Sequence, residues 1–312
     1  MGIPLMTSRR TTLRRFSILP VLLILCWIPG CADPDSDTGS ADAARVEARV
    51  IAEKVMEAMG GWDSWHATRY IGFSFFGFRT HYWDKDTGRY RVSWTDRESG
   101  QSHVILMNLQ TGEGSVYVDG AEVTDAGERN GFLERARGAW INDTYWLLMP
   151  YKLQDPGVDL AYAGEEVVDG IVYDTLHLRF DEVGNTPGDE YWAYINRDTR
   201  LMDRWVYLLQ LREGQDERSR GEWKWNDWRK YGEILLSAER ERMDGQKRSH
   251  EDMAVYDHVA DRVFTSPDPV TPDMILERTD PGDPGDPGDP GASEASEASG
   301  DSADTRPAGR SE

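Results

Sequence analysis

Short runs of alternating apolar and polar residues dominate most of the chain. In "RYRVSW" (89–94), every second residue is aromatic or aliphatic, which is the period of a strand with one buried face. Tight-turn residues separate the runs, and Val-Asp-Gly stands between two of them at 118–120 and again at 168–170. Strands joined by turns this short pair antiparallel, so the pattern constrains the chain to antiparallel sheet.

The number of these runs sets the size of the sheet. We count about ten or eleven strands, and a phase shift at Phe76-Gly77-Phe78 predicts a bulge or bend in one of them. The predicted fold class is mainly β with helices (α+β), with a curved antiparallel sheet or incomplete β-barrel, an N-terminal helix and a mid-chain helical lid.

The N-terminal helix is predicted over residues 44–59, and Gly60-Gly61 follows it as a C-terminal cap. Its apolar positions recur at helical spacing on roughly one face. They are Val46, Val50, Ile51, Val55, Ala58 and Met59.

The mid-chain segment 128–150 also lacks the alternation of a strand. It predicts one broken helix or two short ones, with Asn142 or Asp143 as N-cap of the second. Pro150 is predicted to end it, because proline cannot continue a helix. The apolar stretch "YWLLM" before that proline supplies the predicted ligand-facing lid residues, which are Tyr145, Trp146, Leu148 and Met149.

The first thirty residues have the three parts of a secretory signal peptide: basic residues, an apolar core at 16–28, and small residues before Cys31. The cysteine at the cleavage point resembles the lipobox of bacterial lipoproteins, which implies lipidation of Cys31, with palmitate as an expected acyl group. Ala32 after it points to the outer membrane. The export route, Sec or twin-arginine, stays open.

Four segments follow from these patterns. Residues 1–30 are the predicted lipoprotein signal peptide, and 31–43 hold the lipidated cysteine and a flexible acidic tether. Residues 44–270 are predicted to form one domain. Residues 271–312, with repeated Asp-Pro-Gly and Ser/Glu-rich sequence, are predicted to be a disordered tail.

Composition argues against several classes of function. The chain has 35 Lys and Arg against 56 Asp and Glu, and without the four signal-peptide arginines the balance is 31 to 56, a net charge of −25. Such a chain repels nucleic acid. Of its two cysteines, Cys26 lies in the signal, so no internal disulfide is expected. The histidines lack zinc-site spacing, so neither a metal nor another cofactor is expected.

No catalytic sequence motif is present, so we do not expect an enzyme. One hydrolase hypothesis remains open from the residue types alone, with Asp143 or Asp189 acting beside His81 or His177. A third hypothesis is a structural envelope protein whose sheet face docks a protein partner.

Aromatic residues are abundant, with twelve tryptophans in the chain. Most are expected in the core of a large sheet, but some could line a concave wall that binds an apolar ligand. The wall candidates are Trp83, Trp94 and Trp192.

The segments "YWLLMPYKLQDPGV", "TPGDEYWAYINRDT" and "LMDRWVY", with the lipobox, an N-terminal helix and a mid-chain helical insert, resemble the LolA/LolB superfamily of lipoprotein-sorting proteins over roughly residues 45–265. The resemblance implies an incomplete antiparallel barrel closed by a helical lid over a lipid-binding cavity. No position matches the functional arginine of the LolA lid or the exposed leucine of LolB.

The expected function is therefore that of a monomeric lipoprotein of the cell envelope, anchored to the outer membrane with its domain in the periplasm. Its expected partners are the membrane and the acyl chains of a lipid or lipoprotein, with a possible part in sorting them. Burial of acyl methylenes would supply the affinity.

Overall fold

The computed structural model describes residues 35–180, 186, 188–211 and 214–276, with side chains from residue 39 onward. Backbone contacts divide the chain into residues 1–40 and residues 41–312, and the account below concerns the second unit and the helix α1 that leads into it. The signal peptide, Cys31 and residues 277–312 of the predicted tail lie outside the described residues.

The described helices are α1 (Asp35–Ala58), α2 (Gly61–Ala67), α3 (Ala126–Leu148), a 3-10 helix (Met149–Lys152), α4 (Arg262–Thr265) and α5 (Pro272–Leu276). The described strands are β1 (Tyr70–Phe75), β2 (Arg79–Asp84), β3 (Arg89–Thr95), β4 (Ser102–Asn108), β5 (Gly114–Val118), β6 (Ala121–Glu122), β7 (Val158–Val168), β8 (Ile171–Phe180), β9 (Glu190–Asn196), β10 (Met202–Leu208), β11 (Arg220–Tyr231), β12 (Ile234–Arg242), β13 (Lys247–Ser249) and β14 (Glu251–Tyr256).

The strands form two seven-stranded antiparallel sheets. The first has the order β14-β1-β2-β3-β4-β5-β6 and the second β13-β12-β11-β10-β9-β8-β7. Only His250 separates β13 from β14, so the chain passes directly from the edge of one sheet to the edge of the other. The opposite edges, β6 and β7, are not paired with each other, and α3 with the 3-10 helix connects them. This confirms the predicted fold class.

The strand number is higher than the sequence predicted, partly because β6 has two residues and β13 three. Strands this short show no alternation. The predicted bulge or bend at Phe76-Gly77-Phe78 is a three-residue hairpin turn between β1 and β2. Phe76 has a φ of 50° and Gly77 of 69°, and the N–H of Phe78 donates to the carbonyl of Phe75 at 2.9 Å. Both Val-Asp-Gly sequences also lie at hairpin turns.

Helix α1 buries part of the predicted stripe, including Ile51, Val55 and Met59. Val46 and Val50 are 64% and 49% exposed, so including them in the core stripe was wrong. The buried stripe contains two alanines, which let the helix lie close to the strands. Its members are Ala48, Ile51, Ala52, Val55, Met56 and Met59.

Helix α3 is one continuous helix of 23 residues, so the predicted break is wrong. Its N-cap is Asp125, whose side chain accepts a hydrogen bond from the backbone N–H of Glu128. Asn142 and Asp143 lie inside this helix, so neither is an N-cap. The side chain of Asp143 bonds to side chains of the sheet instead. Pro150 lies within the 3-10 helix that follows.

The main core lies between α1, the C-terminal end of α3 and the strands of the second sheet, with β1 of the first sheet completing it. A smaller core joins the first half of α3 to β3, β4 and β5. Among the described helices, none is both long enough and apolar enough to cross a membrane.

Candidate functional site

An apolar cleft of about 340 Å³ lies beside the second half of α3. Aromatic and aliphatic side chains form most of its wall, and they come from the helix, from β8 and from β9. They include Trp140, Ile141, Tyr145, Trp146, Phe180 and Tyr191. The volume is at the lower end of the range of about 300–1,000 Å³ typical of small-molecule sites.

Edge-to-face contacts between aromatic rings hold this wall in place. The ring of Tyr145 lies 5.3 Å from that of Tyr191 and 6.2 Å from that of Phe180. The indole of Trp146 packs against Trp205 at 4.8 Å. Such pairs restrain the rings beyond simple burial of their area, so the cleft is a preformed apolar surface.

Two residues of this wall have a buried polar atom with no hydrogen-bond partner among the described residues, the hydroxyl of Tyr145 and Nε1 of Trp140. Burial raises the pKa of Tyr145 well above its usual value, so the group stays a neutral hydroxyl. It offers a donor or an acceptor to a polar atom of a bound molecule. At the rim, Lys152 forms an ion pair with Asp155 at 2.8 Å.

The four predicted lid residues divide into two pairs. Tyr145 and Trp146 line the cleft. Leu148 and Met149 are both 0% exposed and belong to the main core. The structure therefore brings only the first pair to the cleft, and the second pair anchors the end of α3.

None of the three wall candidates lines this cleft. Trp83 packs against Trp140 at 5.3 Å and joins the smaller core. Trp94 stacks on His103 in a second cleft. Trp192 follows Tyr191 on β9 and therefore points to the opposite face of the sheet, where it stacks on His177 at 4.6 Å.

A buried ion pair fixes the C-terminal part of α3 to the first sheet. The guanidinium of Arg79 donates to both carboxylate oxygens of Asp143, at 2.7 and 2.8 Å. His81 Nε2 lies 3.0 Å from the same carboxylate, and His81 Nδ1 lies 2.7 Å from the hydroxyl of Tyr90. The sequence offered Asp143 and His81 as candidates, but gave no signal for Arg79 or Tyr90.

In this cluster, the shifts in pKa favour a charged Asp143 and a neutral His81. Burial alone would raise the pKa of Asp143, but the bonds from His81 and Arg79 outweigh it and lower that pKa. Burial lowers the pKa of His81. Both Asp143 and His81 are 0% exposed, so no substrate reaches the pair in this conformation.

The other two residues of the hydrolase hypothesis, Asp189 and His177, each bind other partners. Asp189 accepts hydrogen bonds from the backbone N–H of Gln210 at 2.7 Å and from the hydroxyl of Thr186 at 2.5 Å, which is a turn-stabilising role. His177 lies 2.9 Å from Glu190. In the described residues, no group of three or more His, Cys, Asp or Glu side chains is placed to hold a metal ion.

A second buried arginine holds the end of α3. Arg240 on β12 is 0% exposed, and its Nη2 donates to the backbone carbonyl of Trp146 at 2.5 Å. In a continuing helix this carbonyl would accept from the N–H four residues later, but that residue is Pro150, which has none. His250 Nε2 lies 3.4 Å from the same oxygen.

Arg240 has no carboxylate within ion-pair distance among the described residues. Its guanidinium lies 3.4 Å from the centre of the Trp225 ring and donates to the carbonyls of Ser237 and Glu239. Burial lowers its pKa well below the usual value. Sequence analysis missed this residue, because only Pro150 signals the unpaired carbonyl and the arginine lies 94 residues from Trp146.

Comparison with known proteins finds likeness only among solved structures. No model of a protein family matches the chain, and no curated protein matches it. A LolA superfamily protein from Nitrosomonas europaea is similar with 13% identity and a TM-score of 0.38, over 70% of this chain and 96% of that one.

Two further solved structures are similar over the same share of this chain. One is a putative outer membrane lipoprotein-sorting protein domain from Vibrio parahaemolyticus, with 6% identity, a TM-score of 0.36 and 97% of that chain covered. The other is a DUF1329 family protein from Desulfovibrio piger, with 13% identity, a TM-score of 0.36 and 96% covered. The likeness concerns the fold alone.

Proposed function

We propose that the protein binds an apolar ligand, the acyl chain of a lipid or lipoprotein, in the apolar cleft beside α3. The cleft itself is the observation that carries this proposal, because its wall is aromatic and aliphatic and its volume suits a small apolar molecule. Each buried methylene contributes about 0.8 kcal/mol, so affinity needs no catalytic group.

The attachment of α3 supports a role for the helix as the movable wall of the cleft. Polar contacts tie it to the sheets through Asp143 with Arg79 and the Trp146 carbonyl with Arg240, and Arg137 donates to the carbonyl of Leu109 after β4. Packed elements switch between discrete positions and do not deform continuously. A longer acyl chain would enter when the helix moves outward.

The test is binding of a fluorescent fatty acid to the protein and to matched isoleucine variants. Ile141 lines the cleft, and Ile141→Gln is expected to weaken binding about tenfold, because it places an unpaired amide against the acyl chain. Ile171 is 38% exposed on β8, away from the cleft, so Ile171→Gln is expected to leave affinity unchanged.

Native mass spectrometry of protein extracted from its own envelope is the second measurement. An acyl ligand bound to the extracted protein is the expected result. A protein that is consistently empty and also fails to bind fluorescent fatty acids would contradict the proposal.

We further propose that lipidation of Cys31 anchors this domain to the outer membrane from the periplasmic side, as a monomer. The lipobox-like sequence before Cys31 supports this. Mass spectrometry should find the acyl groups on Cys31, and Cys31→Ser should release the protein from membrane fractions. An unmodified cysteine in membrane-bound protein would contradict the anchor.

A further inference from the structure

A second cleft, of about 1150 Å³, opens where two hairpins separate. Strands β2 and β3 pair as far as Thr80 with Ser93. Beyond that pair, β2 stays paired with β1 alone, and β3 stays paired with β4 alone. The residues that follow, Arg79 and Trp94, line the opening between the hairpins, and Arg135 and Asn142 of α3 border it.

We call this second cleft the polar cleft, because many charged and hydroxyl side chains line it. Two buried ring nitrogens in it have no hydrogen-bond partner among the described residues. They are Nε1 of Trp94 and Nδ1 of His103. The rings stack at 4.7 Å with 14° between their planes, and His103 is only 6% exposed. The indole N–H can act only as a donor, so a group that satisfies it must supply an acceptor.

Two exposed arginines, Arg97 and Arg135, also line this cleft. The guanidinium of Arg135 lies 5.2 Å from the centre of the Trp94 ring, and that of Arg97 lies 4.1 Å from the Phe78 ring. Among the described residues, no carboxylate is within ion-pair distance of either arginine. Stacking on an aromatic ring leaves the edge N–H groups of a guanidinium free to bind an anion.

Two of the three acidic residues that line the polar cleft accept hydrogen bonds through one carboxylate oxygen each. Asp96 accepts hydrogen bonds from the backbone N–H groups of Glu98 and Ser99. Asp268 accepts one from the hydroxyl of Ser266 at 2.8 Å. The exposed carboxylate of Glu98 is the remaining one. The free hydrogen-bonding capacity around Trp94 is therefore mainly that of cationic and neutral donors.

The polar cleft and the apolar cleft share one lining residue, Asn142. A ligand that uses both has an apolar chain at one end and a group rich in acceptors at the other.

We infer that the ligand is an anionic amphiphile, whose phosphate group binds Arg97 and Arg135 in the polar cleft while its acyl chain lies in the apolar cleft. Phosphate matches the donors, because its oxygens accept from guanidinium groups in charge-assisted pairs. This inference rests on the proposed function and names the ligand class of the same site. A free phosphate ion would share the headgroup chemistry, so the test separates the two sources.

The test compares three probes, which are decyl phosphate below its micelle concentration, decanol and inorganic phosphate, by calorimetry on the full mature chain. Decyl phosphate is expected to bind about tenfold more tightly than decanol. In a double variant with Arg97→Gln and Arg135→Gln, the higher affinity for decyl phosphate is expected to vanish while decanol binding is unchanged. Arg129, also on α3 but outside both clefts, supplies the control Arg129→Gln, which should behave like the parent.

The outcomes separate the headgroup inference from the proposed function. Decanol binding with no added affinity for decyl phosphate, or an equal loss in Arg129→Gln, would overturn the inference and leave acyl binding intact. Arginine-dependent binding of inorganic phosphate without binding of either decyl probe would show a site for a free anion and would overturn both. Failure of all three probes would also overturn both.

Discussion

Arg79 on β2 and Asp143 on α3 form a buried ion pair through two hydrogen bonds, of 2.7 and 2.8 Å. The residues are 64 positions apart in the chain, and their contact fixes the C-terminal part of the helix over the first sheet. His81 and Tyr90 extend the contact into the sheet through two further polar contacts. The position of α3, and with it one wall of the apolar cleft, depends on this cluster.

Asp143→Asn should lower the free energy of unfolding by about 3 kcal/mol. The amide is nearly the same size but leaves Arg79 without its counter-ion, and removal of one partner of a buried pair costs about 3–5 kcal/mol. We expect the lower end, because the Arg79 side chain is 30% exposed. Urea unfolding measures the difference.

The control for this variant is Asp155→Asn. Asp155 pairs with Lys152 but is 43% exposed, so its loss should cost less than about 1 kcal/mol. Equal effects of the two substitutions would show that the buried cluster does not hold α3.

Arg240→Met should cost less stability when Pro150 is replaced by alanine. In the parent, the methionine leaves the carbonyl of Trp146 without the donor that Arg240 supplies. In the Pro150→Ala background the alanine supplies an N–H at the position where a helix normally has one. A double-mutant cycle on urea unfolding should give a coupling of about 1 kcal/mol. A coupling of zero would mean that the arginine does not replace the missing N–H.

Stability should fall as the pH is lowered from about 7 to about 5, in part through His250. Burial lowers the pKa of His250 well below its usual 6.5, and Arg240 adds to this effect. The unfolded chain takes up a proton near pH 6.5 and the folded chain does not, so acid favours unfolding. This histidine alone accounts for at most about 2 kcal/mol over that range.

Urea unfolding of His250→Phe at the two pH values checks this. The variant should lose less stability on acidification than the parent, and the remaining fall should come from His81 and His103, whose pKa values are also lowered by burial. A pH dependence identical to that of the parent would contradict the assignment to His250.

Gly60→Ala should destabilise the protein more than Gly61→Ala. Both glycines have positive φ, of 118° and 83°. A Cβ at Gly60 would lie 2.5 Å from the backbone oxygen of Glu233, whereas one at Gly61 would meet nothing within 4 Å. Thermal or urea unfolding should show a loss of more than about 2 kcal/mol for Gly60→Ala and about 1 kcal/mol for Gly61→Ala. Equal losses would contradict this close approach.

Part of the candidate site could be predicted from the sequence. Tyr145 and Trp146 were predicted to face a ligand and do line the apolar cleft, but that they bind one stays a prediction. Leu148 and Met149, in the same apolar stretch, are core residues. Consecutive apolar residues point in different directions around a helix, and a stretch that is apolar on every side does not reveal which of them faces the cleft.

Local sequence determined the antiparallel strands, their hairpin turns and the existence of both long helices, because alternation, turn residues and helical periodicity act over a few positions. Tertiary structure decided the rest. Asp143 is a residue type that often caps helices, but its carboxylate binds Arg79 instead. The carbonyl of Trp146 accepts a hydrogen bond from Arg240, 94 residues away. Contacts between such distant positions follow from how the two sheets and α3 pack together, and no local pattern encodes that packing.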